Sequence, residues 1–383
     1  MQKAHIPALT GVRAVAAGIV FIGHMIGPHH DVVPAPLRYG WTGVNIFFAL
    51  SGYLFQHLYA ESLVAGVFSW SAYIKRRLVR IYPVTMLIVL LSALSLLGSV
   101  SPLDVGLHLT LLHGWHPYYR MTLNAPMWTL TLEESFYIIA PVLIYYLAKF
   151  QSDLRRRLKL SRLGLWPLTS TVVVVLILWA LTVAAGRGLA EYYREIAFFV
   201  TGRWDPNVLT YTIFGRLSDF VSGMLAACIM ATFRDRLSGR GDILVVVGSG
   251  LYLACINAIV VLGGPTQAGN HKLGTIALNG LAFCAAIVIA GLHAGGWASR
   301  LLSTRPAILL GEISFALYLI QFMPLGPIRN IGMALQWNLE QAGLHFVLAA
   351  FTAYVVMNIA ALGVHYLYER PVGRALRKKV LSY

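Results

Sequence analysis

Acidic side chains are scarce in this sequence. It has 15 Asp and Glu among 383 residues, and only 12% of its residues carry any charge. Soluble domains are about a quarter charged, so this composition excludes an ordinary soluble globule. Cysteine is scarcer still. Cys228, Cys255 and Cys284 fall on three separate apolar segments, which suggests no disulfide framework, and no metal is expected. Also missing are a Gly/Ser-rich linker, a low-complexity tract, an internal repeat and a G-x-S-x-G elbow, the last being the signature of a serine nucleophile. A single membrane domain is expected over residues 1–383.

What the sequence has is apolar length. Hydrophobic residues make up 58% of the chain, and the mean hydropathy is +0.69. A hydrocarbon core about 30 Å thick demands roughly twenty apolar residues of a helix. Ten such stretches occur, near 8–27, 42–60, 82–100, 127–149, 166–185, 209–232, 243–263, 273–292, 306–326 and 344–368. The expected fold is an all-α integral membrane protein, a bundle of about ten transmembrane helices. A piece at 103–114, with His108 and His113, is too short to span and reads as re-entrant or interfacial.

A net charge of +15 suggests nucleic acid, but its distribution argues against that partner. Of the 30 Lys and Arg, 21 lie in one alternate set of connections and 7 in the other, with Arg13 and Arg216 inside helices. The positive-inside rule accounts for this alternation. It places both termini in the cytoplasm and makes the helix count even. The first helix carries Arg13 mid-span and has no A-x-A-like site after it, so it reads as a retained helix rather than a cleaved signal.

Ionisable groups at membrane depth are expensive and normally face a cavity or a partner. Here they are Arg13, His24, His57, Glu133, Glu134, Arg216, Asp219 and Glu312. Arg13 and His24 are eleven residues apart, about three helical turns, so they share one face about 16 Å apart. The plainer reading has Arg13 snorkelling inward and His24 at the outer interface. Helix direction brings His24, Asn45, Glu133 with Glu134, and Arg216 with Asp219 to one outer depth. Glu133 and Glu134 point in different directions, so at most one faces His24. Arg216 and Asp219 read equally as a local i,i+3 ion pair.

Histidine beside a carboxylate is the pairing that removes a proton from an alcohol. An alcohol attacking a thioester also needs a cation or donor for the developing oxyanion. On the cytoplasmic side, the loop YIKRRLVRIYP presents Lys75, Arg76, Arg77 and Arg80. Guanidinium forks of this kind suit phosphate, although ordinary positive-inside charge explains the spacing as well.

Together these segments resemble the acyltransferase-3 family of bacterial membrane O-acyltransferases, from one end of the chain to the other. Arg13 and His24 match its R-x10-H element, and GVNIFFALSGYL (43–54) its GVDxFFxLSGFL segment. Arg77 to Arg80 matches R-x-x-R, and MWTLTLEESFY (127–137) resembles W-S-L-x-x-E-x-x-F-Y, with Glu133 on the Glu. GRLSDFVSGMLAA (215–227), GEISFALYLIQF (311–322) and YLYERP (366–371) resemble R-L-x-x-F-x-x-G-M, G-x-I-S-Y-S-x-Y-L-x-H and I-E-R-P. Two departures stand out: Asn45 replaces an acid and Gln321 replaces a histidine.

The resemblance implies a multi-pass protein of the bacterial cytoplasmic (inner) membrane. It would move an acyl group, most commonly acetyl, from cytoplasmic acyl-CoA to a hydroxyl of a carbohydrate or glycolipid acceptor. Arg77 and Arg80, with Lys75 and Arg76, would hold CoA phosphates, and Arg13 would line the course of the donor arm. His24 would be the base or transient acyl carrier, oriented by Glu133. Trp128 would stack on a sugar ring, with Asn45, Glu134 and Arg216 near the acceptor. The alternative is a transporter or flippase of a lipid-linked saccharide, which would share the helices and buried charge. It gives the basic 75–80 segment no use.

Overall fold

The computed structural model describes residues 5–26, 33–160, 166–269, 271–324, 328 and 330–380. Lys3 and Arg162, counted with the basic connections, and the expected span ends at 27 and 325–326 lie outside the described residues. Among the described residues, regular structure is helical apart from an isolated bridge at 328. In chain order the helices are α1 (Pro7–Met25), α2 (Gly43–Val64), α3 (Trp70–Ser95), α4 (Pro102–Leu109), α5 (Trp128–Leu160), α6 (Trp166–Thr201) and α7 (Ile213–Leu237). They continue with α8 (Gly241–Val261), α9 (Lys272–Ala294), α10 (Arg305–Ile320), α11 (Ile331–Gln341), α12 (Phe346–Val364) and α13 (Arg370–Val380).

Each expected span has a helix, yet among the described residues eight are long and apolar enough to cross a membrane. The two that fall short are α2 and α10. α2 has 22 residues but carries Asn45, Gln56, His57 and Glu61, which lower its hydropathy. α10 has 16 residues, about 24 Å of helix against about 30 Å of hydrocarbon. A second difference concerns the basic 75–80 segment, which is helix and not loop. α3 starts at Trp70, where the Ser69 hydroxyl caps the Ala72 N–H at 3.3 Å. No proline interrupts it before Pro83, and Lys, Arg and Leu are strong helix formers, so Arg77 and Arg80 stand one turn apart on one face. The short piece ahead of α5 is, as expected, non-spanning: α4 has only eight residues.

The chain divides into two compact units. One gathers Met1–Val12, Val44–Phe68 and Ile138–Ile308; the other gathers Arg13–Gly43, Ser69–Tyr137 and Leu309–Tyr383. In the first, α7 packs against α6 and α9, and α8 against α9. Its run from Ser218 to Cys228 is buried throughout. Glycines let backbones touch there. A Cβ on Gly52 would lie 1.8 Å from the Phe220 carbonyl, and one on Gly223 1.8 Å from that of Ala49, the close crossing that small residues permit.

In the second unit, Ala16 and Ala17 of α1 are buried, and a Cβ on Gly43 would meet the Ala16 carbonyl at 2.5 Å. The small residues of helix one thus admit a close neighbour. α12 passes through a π turn at His365–Glu369 into the basic helix α13, and both the turn and α13 pack against α3.

Candidate active site

α1 carries His24 to a partner just past the end of α10 within the second unit. Its Nδ1 pairs with Gln321 Oε1 at 3.4 Å. Gln321 is fully buried and donates its Nε2 to the Tyr318 carbonyl at 3.2 Å. With the amide nitrogen committed to a carbonyl, the amide oxygen faces the ring. Nδ1 therefore holds the proton and Nε2 the lone pair. Phe322 sits edge-on to the imidazole at 4.5 Å. The Tyr318 hydroxyl donates to the Pro126 carbonyl at 3.2 Å, and Asn124 Nδ2 to the Leu319 carbonyl at 2.9 Å. These bonds tie the start of α5, with its half-buried Trp128, to the same end of α10.

Arg13, one face of α1 further in, lies within electrostatic reach of Arg80, Glu133, Glu369 and Tyr137. The Tyr137 hydroxyl donates to Glu133 Oε2 at 2.8 Å. The Arg77 guanidinium stands 6.0 Å from the Tyr137 ring centre, and the Tyr73 hydroxyl donates to the Tyr137 carbonyl at 3.0 Å. Glu369, on the π turn, pairs with His365 Nδ1 at 2.8 Å; such turns often occur at functional sites. The result is a row from Arg77 through Tyr137 and Glu133 to Arg13 and Glu369. Lys75 is half-buried, whereas Arg76 and Arg80 are exposed.

The two acids of α5 do diverge, for Glu134 meets the Tyr82 hydroxyl on α3. The residue bonded to His24, however, is Gln321, while Glu133 is engaged by Tyr137 and faces Arg13. Tyr137, Tyr318 and Glu369 were not singled out from sequence, and Gln321 was noted only as a departure, with no role assigned to it. The departure at 321 was the available signal, because an amide replacing an imidazole keeps an acceptor for a neighbouring ring. Glu312 is exposed.

Asn45, Arg216 and Asp219 belong to the first unit and come together there. Asn45 Nδ2 donates to Asp219 Oδ2 at 3.1 Å, and Arg216 Nη1 to the same oxygen at 3.3 Å. The local ion pair is real and has a third member from α2. His57 belongs to another cluster of this unit, 5.1 Å from the His293 ring, whose Nδ1 is bonded by the Tyr53 hydroxyl.

The 101–124 connection of the second unit, outside the candidate spans, buries two stacked imidazoles. The rings of His108 and His113 are 3.9 Å apart and 13° from parallel. His108 Nδ1 faces Asp104 at 3.0 Å, and the Thr122 hydroxyl donates to that carboxylate at 2.7 Å. Arg120 Nε donates to the Gly114 carbonyl at 3.2 Å. Burial lowers the pKa of both rings, that of His113 to about 3, with the His108 charge adding to the effect. Unfolded imidazoles take up protons below about pH 6.5. The neutral pair's contribution is therefore complete above that pH and is lost as pH falls toward about 3. Hydrogen exchange in 104–116 should accelerate across this window, by at most about 1.4 kcal/mol per pH unit per ring. His113→Phe should flatten the dependence; an unchanged slope would remove the pair as its cause.

A family model described as an acyltransferase domain matches residues 6–365. Acyltransferase MdmB of Streptomyces mycarofaciens is 27% identical over 407 residues, covering 98% of this chain and 93% of its own length. A protein of Staphylococcus aureus (strain COL), named a putative O-acetyltransferase, is 22% identical over 341 residues; the match covers 83% of this chain and 50% of that protein. Protein 2 in the picA locus of Rhizobium radiobacter is 32% identical over 142 residues, covering 35% of this chain and 71% of its own length. No solved structure matches.

Proposed function

The chain belongs to the acyltransferase family whose model runs through nearly all of it, and we propose that it moves an acetyl group from cytoplasmic acetyl-CoA to a hydroxyl of a carbohydrate or glycolipid acceptor. The observation that carries this reading is the pairing of His24 Nδ1 with Gln321 Oε1. Gln321 holds the Nδ1 proton, so Nε2 presents a lone pair. Family membership favours an enzyme over the transporter alternative, and the relatives' names favour acetyl.

The donor supplies an activated thioester, whose cleavage releases CoA thiol as the acceptor oxygen gains the acyl group. The chain's own residues fit such a molecule. Lys75, Arg76, Arg77 and Arg80 open α3, and α13, with Arg370, Arg374, Arg377, Lys378 and Lys379, packs against that helix. These cations suit phosphates at the inner face. Arg13 offers a guanidinium for charge developing on the carbonyl oxygen. His24 Nε2 takes the proton of the acceptor hydroxyl, or is itself the transient acyl carrier; both roles use the same atom. Trp128 and Glu134 are the candidates for the acceptor within the second unit, and Asn45 and Arg216 are those within the first.

Two measurements test the outline. Arg77→Ala with Arg80→Ala should raise the acetyl-CoA KM by about tenfold or more, the scale of a lost charge-assisted contact, and Lys at 77 should be a poor substitute. Unchanged CoA affinity in the double variant returns the segment to a topological role. We also place the chain in the bacterial cytoplasmic membrane as a multi-pass protein of ten spans with both ends inside. Cysteine labelling at 380 should report the cytoplasm and at 264–269 the outside; a C-terminus found outside would end that topology.

A further inference from the structure

The close crossing of α2 and α7 sets one buried amide in a defined orientation. Gly52 and Gly223 bring the helices together, and Phe48 stacks on Phe220 beside them at 4.7 Å. One turn away, Asn45 Nδ2 donates to Asp219 Oδ2, which also accepts from Arg216 Nη1. Arg216 is anchored in turn, its Nε donating to the Thr210 carbonyl at 2.9 Å. Turning the amide over would set its oxygen against a carboxylate, so chemistry fixes which end faces Asp219. The other end, Oδ1, points away. Asn45 is 0% exposed, and Oδ1 has no hydrogen-bond partner among the described residues. A buried acceptor without a donor is costly and calls for an explanation.

The surrounding charge restricts what can satisfy it. Arg216 and Asp219 already balance one another, so a cationic donor would add uncompensated charge to a buried place. An anion has no hydrogen to give. A neutral O–H fits. We propose that Asn45 Oδ1 is a hydroxyl-binding subsite for the acceptor, and that Asp219 is the positioning residue that holds the amide oxygen toward it. The proposal rests on the reading of the chain as an acyltransferase with a hydroxylated acceptor. It also gives a reason for the departure at position 45. In this chain a carboxylate, Asp219, stands across the crossing on α7, 3.1 Å from the amide.

The two side chains can be exchanged by mutation. The full-length protein is reconstituted in liposomes with labelled acetyl-CoA, titrated with a glycolipid extract of the producing cells. Thermal stability and CoA release are followed in parallel. Asp219→Asn leaves Arg216 unbalanced, and Asn45→Asp sets two carboxylates side by side, so both single variants should lose stability and transfer. The double variant N45D/D219N restores the charge balance and still presents an acceptor oxygen, so it should recover most of both. Asn45→Leu removes the orphaned oxygen at similar volume. It also removes the Nδ2 bond to Asp219, so some stability is lost. In the folded protein the half-saturating extract should rise about tenfold, the scale of one neutral hydrogen bond, with the acetyl-CoA KM unchanged. A folded Asn45→Leu protein with the original extract dependence would overturn the subsite. So would a stable double variant as inactive as Asp219→Asn. An unmodified chain that releases no CoA would instead sink the acyltransferase reading, and the subsite with it.

Discussion

His24→Ala is expected to insert and fold normally, to bind CoA as the unmodified chain does, and to transfer acyl groups about 10²–10⁴-fold more slowly, the range supplied by a positioned base. The expectation follows from the site's geometry. The ring is clamped at one nitrogen by Gln321, whose own amide nitrogen is spent on the Tyr318 carbonyl. The other nitrogen is left to act, and imidazole is the side chain whose ordinary titration suits proton removal near neutrality. Losing the ring should also abolish the acidic limb of the pH–rate profile. Gln321→Leu is the companion variant: it keeps the volume but frees the tautomer, so it should lower kcat and shift that limb while CoA binding holds. Near-normal turnover by a well-folded His24→Ala protein would remove the mechanism, whatever the family membership says.

Much of this architecture is legible in sequence because bilayer thickness imposes a length on every span. Composition gives the membrane class, and the apolar stretches give the approximate place of a helix for each expected span, but not the short helices α11 and α13. Length and hydropathy fail where a helix is short or polar, as in α10 and α2. Polar residues lower the hydropathy of α2, and among them is Asn45, which belongs to a candidate site. The segment around Arg77 reads as a loop because charge clusters usually mark connections, yet its residues are good helix formers with a serine cap ahead of them.

Within the site, periodicity separates Glu133 from Glu134 correctly, since neighbours on a helix diverge by about 100°. It cannot say which partner each acid finds. Pairing depends on how other helices cross, and those crossings are set by glycines such as Gly52 and Gly223 whose contacts lie far apart in sequence. Glu369 shows the same limit. It sits beside Arg13 because of a π turn, a local change of helical phase that a 3.6-residue period does not anticipate.

Glu133→Gln is expected to lower kcat by about 10–100-fold with little change in either KM, the pattern of an interaction made mainly in the transition state. Gln keeps the shape and can still accept from the Tyr137 hydroxyl, so folding should hold. What is lost is the negative charge facing Arg13. That guanidinium has Arg80 for another neighbour, and without Glu133 its placement for a developing oxyanion would lean on Glu369, the other carboxylate in its reach among the described residues. The pH–rate profile separates this role from the one the family resemblance implies. If Glu133 oriented the imidazole, its loss would move the acidic limb that His24 sets. With Gln321 as the imidazole's partner, the limb should stay where it is while the plateau drops. Glu134→Gln, which disturbs the contact with Tyr82 on α3 and points away from Glu133, should leave the plateau within a fewfold of the original and act mainly on the acceptor KM. A displaced limb in the Glu133→Gln protein would return that carboxylate to His24 and take Arg13 out of the argument.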